Sequence, residues 1–352
     1  MARDRVLFIL KRREDYNAGA HGHSVTLSTG LYNSANYVHE MLKEAGVHTK
    51  LVVVVDNNSI DREVTLYRPT HVIIEALWVV PSKFAILSTL HPNVEWIIRL
   101  HSEMPFMAGE GIAMDWLGDY VKNPNITISC NAPRFLREVR YYLKSVMGWD
   151  DKTAIRRVIY QPNFYTQKHV KKRHRKKDGY IDIACFGAVR PLKNHLVQAH
   201  AALKFAQDKK LKLRFHINGG RIEMKGEPMI NNLKGMFEQL ADQGHELINH
   251  AWRPRDEFLE LCSTMDIGMQ VSLSETFNIV SADLINQGVP VIGSREIPWI
   301  APEFVANPVD SNNIVRVLKR TWFWRWFNVK MNQSRLNKYT NKSKKIWLSQ
   351  YH

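Results

Sequence analysis

Two carboxylates, Glu275 and Asp283, stand eight residues apart in the stretch SETFNIVSADLINQGVPVIGS, residues 274–294. The apolar run DIGMQVS before it reads as a strand, and Gly288 is a natural helix C-cap, so a helix is expected from near Phe277 to Gly288. A ligand of an open parallel sheet sits at the carboxyl ends of the strands, against the amino ends of the following helices. The backbone amides of Thr276, Phe277, Asn278 and Ile279 are therefore candidates to hold a phosphate. Glu275, just ahead of them, could accept hydrogen bonds from hydroxyl groups, and Asp283, more than two turns on, could address another part of the same ligand. Alternatively, Glu275 could merely complement the helix dipole, and Asp283 could be a solvated helix residue. Elsewhere, the strand-like EWIIRLH delivers His101 to a strand end, where a histidine can also be a satisfied buried residue.

These residues must be positioned by a sizeable framework. A chain of 352 residues with 45% hydrophobic and 24% charged residues has material for two cores, and two domains are expected. Its apolar runs RVLFIL, KLVVVVD, THVIIEALWV, EWIIRLH, NITISC and RVIYQP are separated by helix-capable connections. Continuous apolar runs alternating with helices imply a parallel sheet buried on both faces. After a break the alternation resumes with YIDIACFG, LKLRFHING, HELINH and DIGMQVS. The expected domains are residues 1–167, a basic linker or loop over 168–179, a second domain over 180–310, and basic, Trp-rich terminal helices over 311–352. Both domains should be Rossmann-like α/β units facing a central cleft.

The net charge of +15 is localised. Lys168–Lys177 (KHVKKRHRKK) holds seven bases and no acid, and Arg316–His352 holds ten and no acid. Setting aside those seventeen of the 49 bases leaves 32 against 34 acids, so two segments carry the whole excess. Lys171, Lys172, Arg173, Arg175 and Lys176 are thus candidates to hold a polyanion, against the plainer reading of a solvated loop. In TWFWRWFNVK, Trp322 and Trp326, and Phe323 and Phe327, fall one helical turn apart, a spacing that points to packing of a terminal helix. A cationic surface flanked by aromatics suits nucleic acid or an anionic membrane surface. No apolar run reaches membrane-spanning length, and the amino terminus lacks a signal-peptide pattern, so a cytoplasmic protein is expected. Cys130, Cys185 and Cys262 have no ligand spacing and read as reduced and buried. The pair His21 and His23 has no persuasive third ligand, and no metal is expected.

Glu275-Thr276-Phe277-Asn278, followed by Asp283 and Gly288-Val289-Pro290-Val291-Ile292, resembles the E-x7-E signature of retaining GT-B glycosyltransferases. The resemblance implies that Glu275 binds the donor sugar, Asp283 the ribose, and the amides of Thr276 to Ile279 the diphosphate. The sequence departs from the pattern in having Asp for the second acid and Asn278 for the usual glycine. FGAVRPLKNH, residues 186–195, resembles the family's strand-end loop, whose Arg and Lys neutralise the donor diphosphate. Arg190 and Lys193 carry those roles over, with the Arg displaced by two positions; ordinary surface cations are the alternative. Two cations there would replace a metal and stabilise the departing nucleoside diphosphate. His101 matches a donor-sugar histidine of related enzymes.

The resemblance implies an α/β, GT-B architecture with terminal helices returning toward the first domain. It also implies metal-independent, retaining transfer from a nucleotide sugar, with a UDP-sugar first and no further cofactor. By analogy with virus-encoded DNA glycosyltransferases, the expected acceptor is a hydroxymethylated pyrimidine of DNA. The alternatives are a peripheral-membrane enzyme acting on lipopolysaccharide or another surface glycan, and a non-catalytic polyanion-binding module of the same fold.

Overall fold

The computed structural model describes residues 4–11, 29–170 and 178–351. The chain divides into two compact units, Met1–Thr166 with Thr340–His352, and Gln167–Tyr339.

The first unit runs β1 (Arg5–Lys11), α1 (Gly30–Glu44), β2 (His48–Val54), α2 (Ile60–Tyr67), β3 (His71–Glu75), α3 (Lys83–Leu90), β4 (Glu95–Leu100), α4 (Met104–Met107), α5 (Ala113–Tyr120), β5 (Ile126–Cys130), α6 (Pro133–Met147), α7 (Asp151–Arg157) and β6 (Val158–Tyr160). Its six strands form a parallel sheet in the order β2-β1-β3-β4-β5-β6. Successive side chains of a strand point to opposite faces, and here both faces are apolar. Leu7, Ile9, Val72, Ile74, Trp96 and Ile98 lie in one core. Val6, Phe8, Ile73 and Ile97 lie in the other, against Val38, Met41 and Leu42 of α1 and Trp347 and Tyr351 near the carboxyl end of the chain.

The second unit runs β7 (Tyr180–Ala184), α8 (His195–Asp208), β8 (Lys212–Ile217), α9 (Glu227–Glu238), β9 (Glu246–Asn249), α10 (Arg255–Ser263), β10 (Ile267–Gln270), α11 (Ile279–Asn286), β11 (Val291–Gly293), α12 (Ser311–Phe323) and α13 (Arg325–Leu348), whose last turns belong to the first unit. Its five parallel strands are ordered β11-β10-β7-β8-β9. Ile183, Phe215 and Ile217 of the sheet share a core with Ala199, Ala202 and Phe205 of α8 and with Ile314 and Leu318 of α12.

Three local features differ from the sequence reading. The run THVIIEALWV yields a strand that stops at Glu75, because Ala76 turns to φ 72° and the Trp78 indole N–H donates to the Glu75 carbonyl at 3.0 Å. The predicted helix near Phe277 starts at Ile279. The aromatics of TWFWRWFNVK do not share one helix face, because α12 and α13 break at Trp324. Trp322 packs edge-on against Phe205, with ring centroids 6.0 Å apart, whereas Phe323, Trp324, Trp326 and Phe327 are exposed.

Candidate functional site

In the second unit the loop after β7 and the loop after β10 build one cluster of charge. Gly187 takes φ +115°, a conformation that disfavours any side chain, and its N–H donates to Asn218 Oδ1 at 3.1 Å. The chain then turns through Arg190 to Lys193, whose ammonium is ion-paired with the Glu275 carboxylate. A Cβ on Gly187 would lie 3.9 Å from that ammonium. Arg190 donates to Glu223 Oε2 at 3.0 Å, and Arg221 reaches Glu223 Oε1 at 2.5 Å. Buried amides join the two loops: Gln270 Nε2 donates to the Phe186 carbonyl, and Asn278 Nδ2 donates to Gln270 Oε1, both at 2.9 Å.

Burial alone would raise the Glu275 pKa. Lys193 and Arg190, with hydrogen bonds from Lys193 and Ser272, more than offset it and hold the carboxyl below its usual range. Glu275 is thus an ionised acid in a nearly dry setting. That suits a group that accepts hydrogen bonds from hydroxyls next to cations able to meet a phosphate.

The late start of α11 has a local cause. Asn278 is left-handed at φ 61°, so it caps the helix instead of continuing it, and its Oδ1 accepts from the Ser281 N–H at 2.8 Å. Thr276, Phe277 and Asn278 are therefore a turn, and Ile279 is the first helical residue. The Phe277 ring is fully buried beside Trp299, whose indole N–H donates to the Phe277 carbonyl at 2.8 Å.

Asp283 is fully buried and makes a two-pronged pair with Arg255, one arm at 2.6 Å. The structure thus brings Glu275, Lys193 and Arg190 together and commits Asp283 to a separate partner. Lys171, Lys172, Arg173, Arg175 and Lys176 lie outside the described residues, as does the His21 and His23 pair. Among the described residues no group of three His, Cys, Asp or Glu side chains could hold a metal ion, and no helix is long and apolar enough to cross a membrane. The three cysteines are free and buried, and burial pushes the Cys185 thiol up to about 12.

In the first unit His101 follows β4, and its imidazole is paired with Glu75, the last residue of β3. Arg99 sits beside Glu75 in the parallel register and donates to both its oxygens, at 3.0 and 3.2 Å. Glu75, Arg99 and Arg255 were not singled out in the sequence. The first two had a signal: charges of opposite sign inside the apolar runs VIIE and WIIRL, where a lone charge is too costly to bury. Arg255 had none, because its partner is 28 residues away in the chain.

No protein-family model matches this sequence, and no curated protein matches it. Solved structures do. Sucrose-phosphate synthase from Thermosynechococcus elongatus superposes with a TM-score of 0.65 at 15% identity, over 98% of this chain and 97% of that one. The N-terminal domain of Candida albicans trehalose-6-phosphate phosphatase gives 0.71 at 10% identity, over 99% and 98%. An E. coli structure described as trehalose-6-phosphate bound with UDP-2-fluoro glucose gives 0.66 at 10% identity, over 98% of both chains. Likeness over nearly the whole length at such low identity establishes the architecture: the chain has the GT-B fold, with two Rossmann-like parallel sheets.

Proposed function

We propose that the chain is a metal-independent, retaining glycosyltransferase that moves a sugar from a nucleotide sugar, UDP-linked first, to hydroxymethylated pyrimidines of DNA in the cytoplasm. The observation that carries the donor reading is the buried Glu275–Lys193 pair with Arg190 beside it, at the ends of β7 and β10. It occurs in a fold shared with a structure bound with UDP-2-fluoro glucose.

In this reading Glu275 accepts hydrogen bonds from the donor sugar, while Lys193, Arg190 and the amides of Thr276, Phe277, Asn278 and Ile279 meet the diphosphate. Asp283 serves the ribose side through Arg255, the partner that holds its buried carboxylate, and His101 approaches the sugar. The acceptor oxygen bonds to the anomeric carbon as the bond from that carbon to the diphosphate breaks. The two cations stabilise the negative charge that develops, and a leaving phosphate oxygen takes the acceptor proton. Lys193 and Arg190 supply charge that a divalent ion would otherwise provide, so transfer should persist in EDTA. The acceptor reading rests on the localised charge of the sequence and the analogy with virus-encoded enzymes. A duplex target would present its base by extrusion.

The test incubates the protein with a panel of nucleotide sugars and hydroxymethylcytosine or hydroxymethyluracil DNA, then weighs the digested nucleosides by mass spectrometry. A hexose or pentose increment that is lost in Glu275→Ala is expected. The absence of any increment with every donor defeats the DNA reading. UDP binding without turnover of any donor would instead mark a non-catalytic polyanion-binding module.

One observation favours a second acceptor. At the α12–α13 corner Phe323, Trp324, Trp326 and Phe327 are 83, 46, 72 and 40% exposed, among the exposed bases Arg320, Arg325 and Lys330. Aromatics flanked by cations suit an anionic bilayer interface, and with it a surface-glycan acceptor. Co-flotation with anionic vesicles, absent with neutral ones, would support that reading.

A further inference from the structure

The least expected polar feature of the first unit is a buried set of charges behind His101. Glu75 and Arg99 are wholly inaccessible, and the His101 side chain retains 15% exposure. An unpaired charge could not persist there, so the set must be internally satisfied. It is. All five Arg99 donors find acceptors: Nε reaches the Gln161 carbonyl at 3.3 Å, one terminal nitrogen reaches both Glu75 oxygens, and the other reaches the Pro162 carbonyl at 3.3 Å and Asn163 Oδ1 at 3.0 Å. The guanidinium also lies over the Trp347 ring, 5.1 Å from its centroid, and the Trp347 indole N–H donates to the same Pro162 carbonyl at 2.8 Å. Arg99 is thereby fixed from β3, from the segment after β6 and from the end of α13.

We infer that Glu75 is a positioning residue for His101: held by Arg99, it accepts the His101 Nε2–H, locks one tautomer and makes Nδ1 the ring's hydrogen-bond acceptor. The inference rests on the reading that His101 meets the donor sugar, and it names how that contact is prepared. A carboxylate doubly bonded to a buried guanidinium is ionised and can only accept. The nitrogen facing it must then carry the proton. Burial and Arg99 push the imidazole below its ordinary pKa, and the opposing pull of Glu75 is the weaker influence, so the ring is neutral near pH 7. A neutral Nδ1 of fixed direction can take a hydrogen bond from a sugar hydroxyl as the glycosidic bond stretches. A freely turning or tautomer-mixed ring would hold that geometry only part of the time.

The test is nitrogen-15 NMR of the full chain labelled at histidine, with His101→Gln used to assign the signal. The expected wild-type spectrum at pH 7 shows His101 protonated at Nε2 and unprotonated at Nδ1, and Glu75→Gln converts it to a mixture. A wild-type ring protonated at Nδ1, or a tautomer unchanged in Glu75→Gln, overturns the inference. Should Glu75→Gln fail to fold, the wild-type spectrum decides by itself. With a turned-over UDP-sugar, Glu75→Gln should lower kcat by roughly 10- to 100-fold with little change in KM, and Glu75→Asp should recover part of it. If the wild-type protein turns over no nucleotide sugar, the donor reading falls while the tautomer measurement still stands.

Discussion

At the scale of the residue, the site is a set of charges removed from water, and its behaviour follows from that. The Lys193 and Glu275 side chains are nearly inaccessible, so each is tolerated chiefly because the other is present. Removing one partner strands the other. Lys193→Met should therefore cost about 3 kcal/mol of stability, and adding Glu275→Gln to it should recover part of the loss, as read by urea denaturation of the three proteins. Destabilisation of the double variant equal to the sum of those of Lys193→Met and Glu275→Gln, measured separately, would show that the pair is not coupled. Glu275, Arg190 and Lys193 were legible as types at suitable spacing. Their pairing was not, since 82 residues separate Lys193 from Glu275. Asp283 was likewise legible by its spacing from Glu275, while the Arg255 that binds its carboxylate was not.

At the scale of the element, one residue sets where the loop after β10 ends and α11 begins. Asn278 does three things there, adopting φ 61°, capping Ser281 and donating to the buried Gln270 Oε1 at 2.9 Å. Glycine tolerates the first and loses little of the second, while alanine fails at both. Both variants lose the Gln270 bond, so Asn278→Gly should lower stability by about 1 kcal/mol and Asn278→Ala by roughly a further 1–2 kcal/mol, in matched denaturation curves. An alanine variant as stable as the glycine variant would exclude this account. The same element explains a misjudged boundary, because apolar periodicity cannot register a left-handed residue inside it. In β3 the error has another origin: Leu77, Trp78 and Val79 pack against the core from a turn, so burial continues after the strand has ended.

At the scale of the whole molecule, the buried imidazoles set how the fold responds to acid. His195 opens α8 fully buried, and burial, with Lys193 and Arg190 nearby, pushes its pKa down to about 3. His250 is pushed down to about 4, by burial first and by His216 and Arg253 after it. Between these values and the unfolded value near 6.5, the unfolded chain binds protons that the native one does not, so stability rises with pH in that window. Lowering pH from 7.5 to 5.5 should cost on the order of 1 kcal/mol through His195, with His250 acting in the same direction. Glu75 and Glu275, held below the usual carboxylate range, add losses only at more acidic pH. Urea denaturation at the two pH values checks this, and His195→Leu should flatten the dependence. An unchanged slope would mean that His195 is not buried as a neutral ring.

The sequence by itself determined the elements and their order. Continuous apolar runs demand sheets covered on both faces, alternation with helices makes those sheets parallel, and a strand-free carboxyl end leaves helices to finish the chain. It also marked Glu275, Lys193, Arg190 and His101 as groups at strand ends. Only the tertiary structure decided which charges meet, because parallel register and loop packing join residues far apart in the chain: Glu75 beside Arg99, Lys193 on Glu275, Arg255 on Asp283, and Trp347 over Arg99. Periodicity reports which face of an element is dry. It carries no information about the partner that makes a buried charge tolerable.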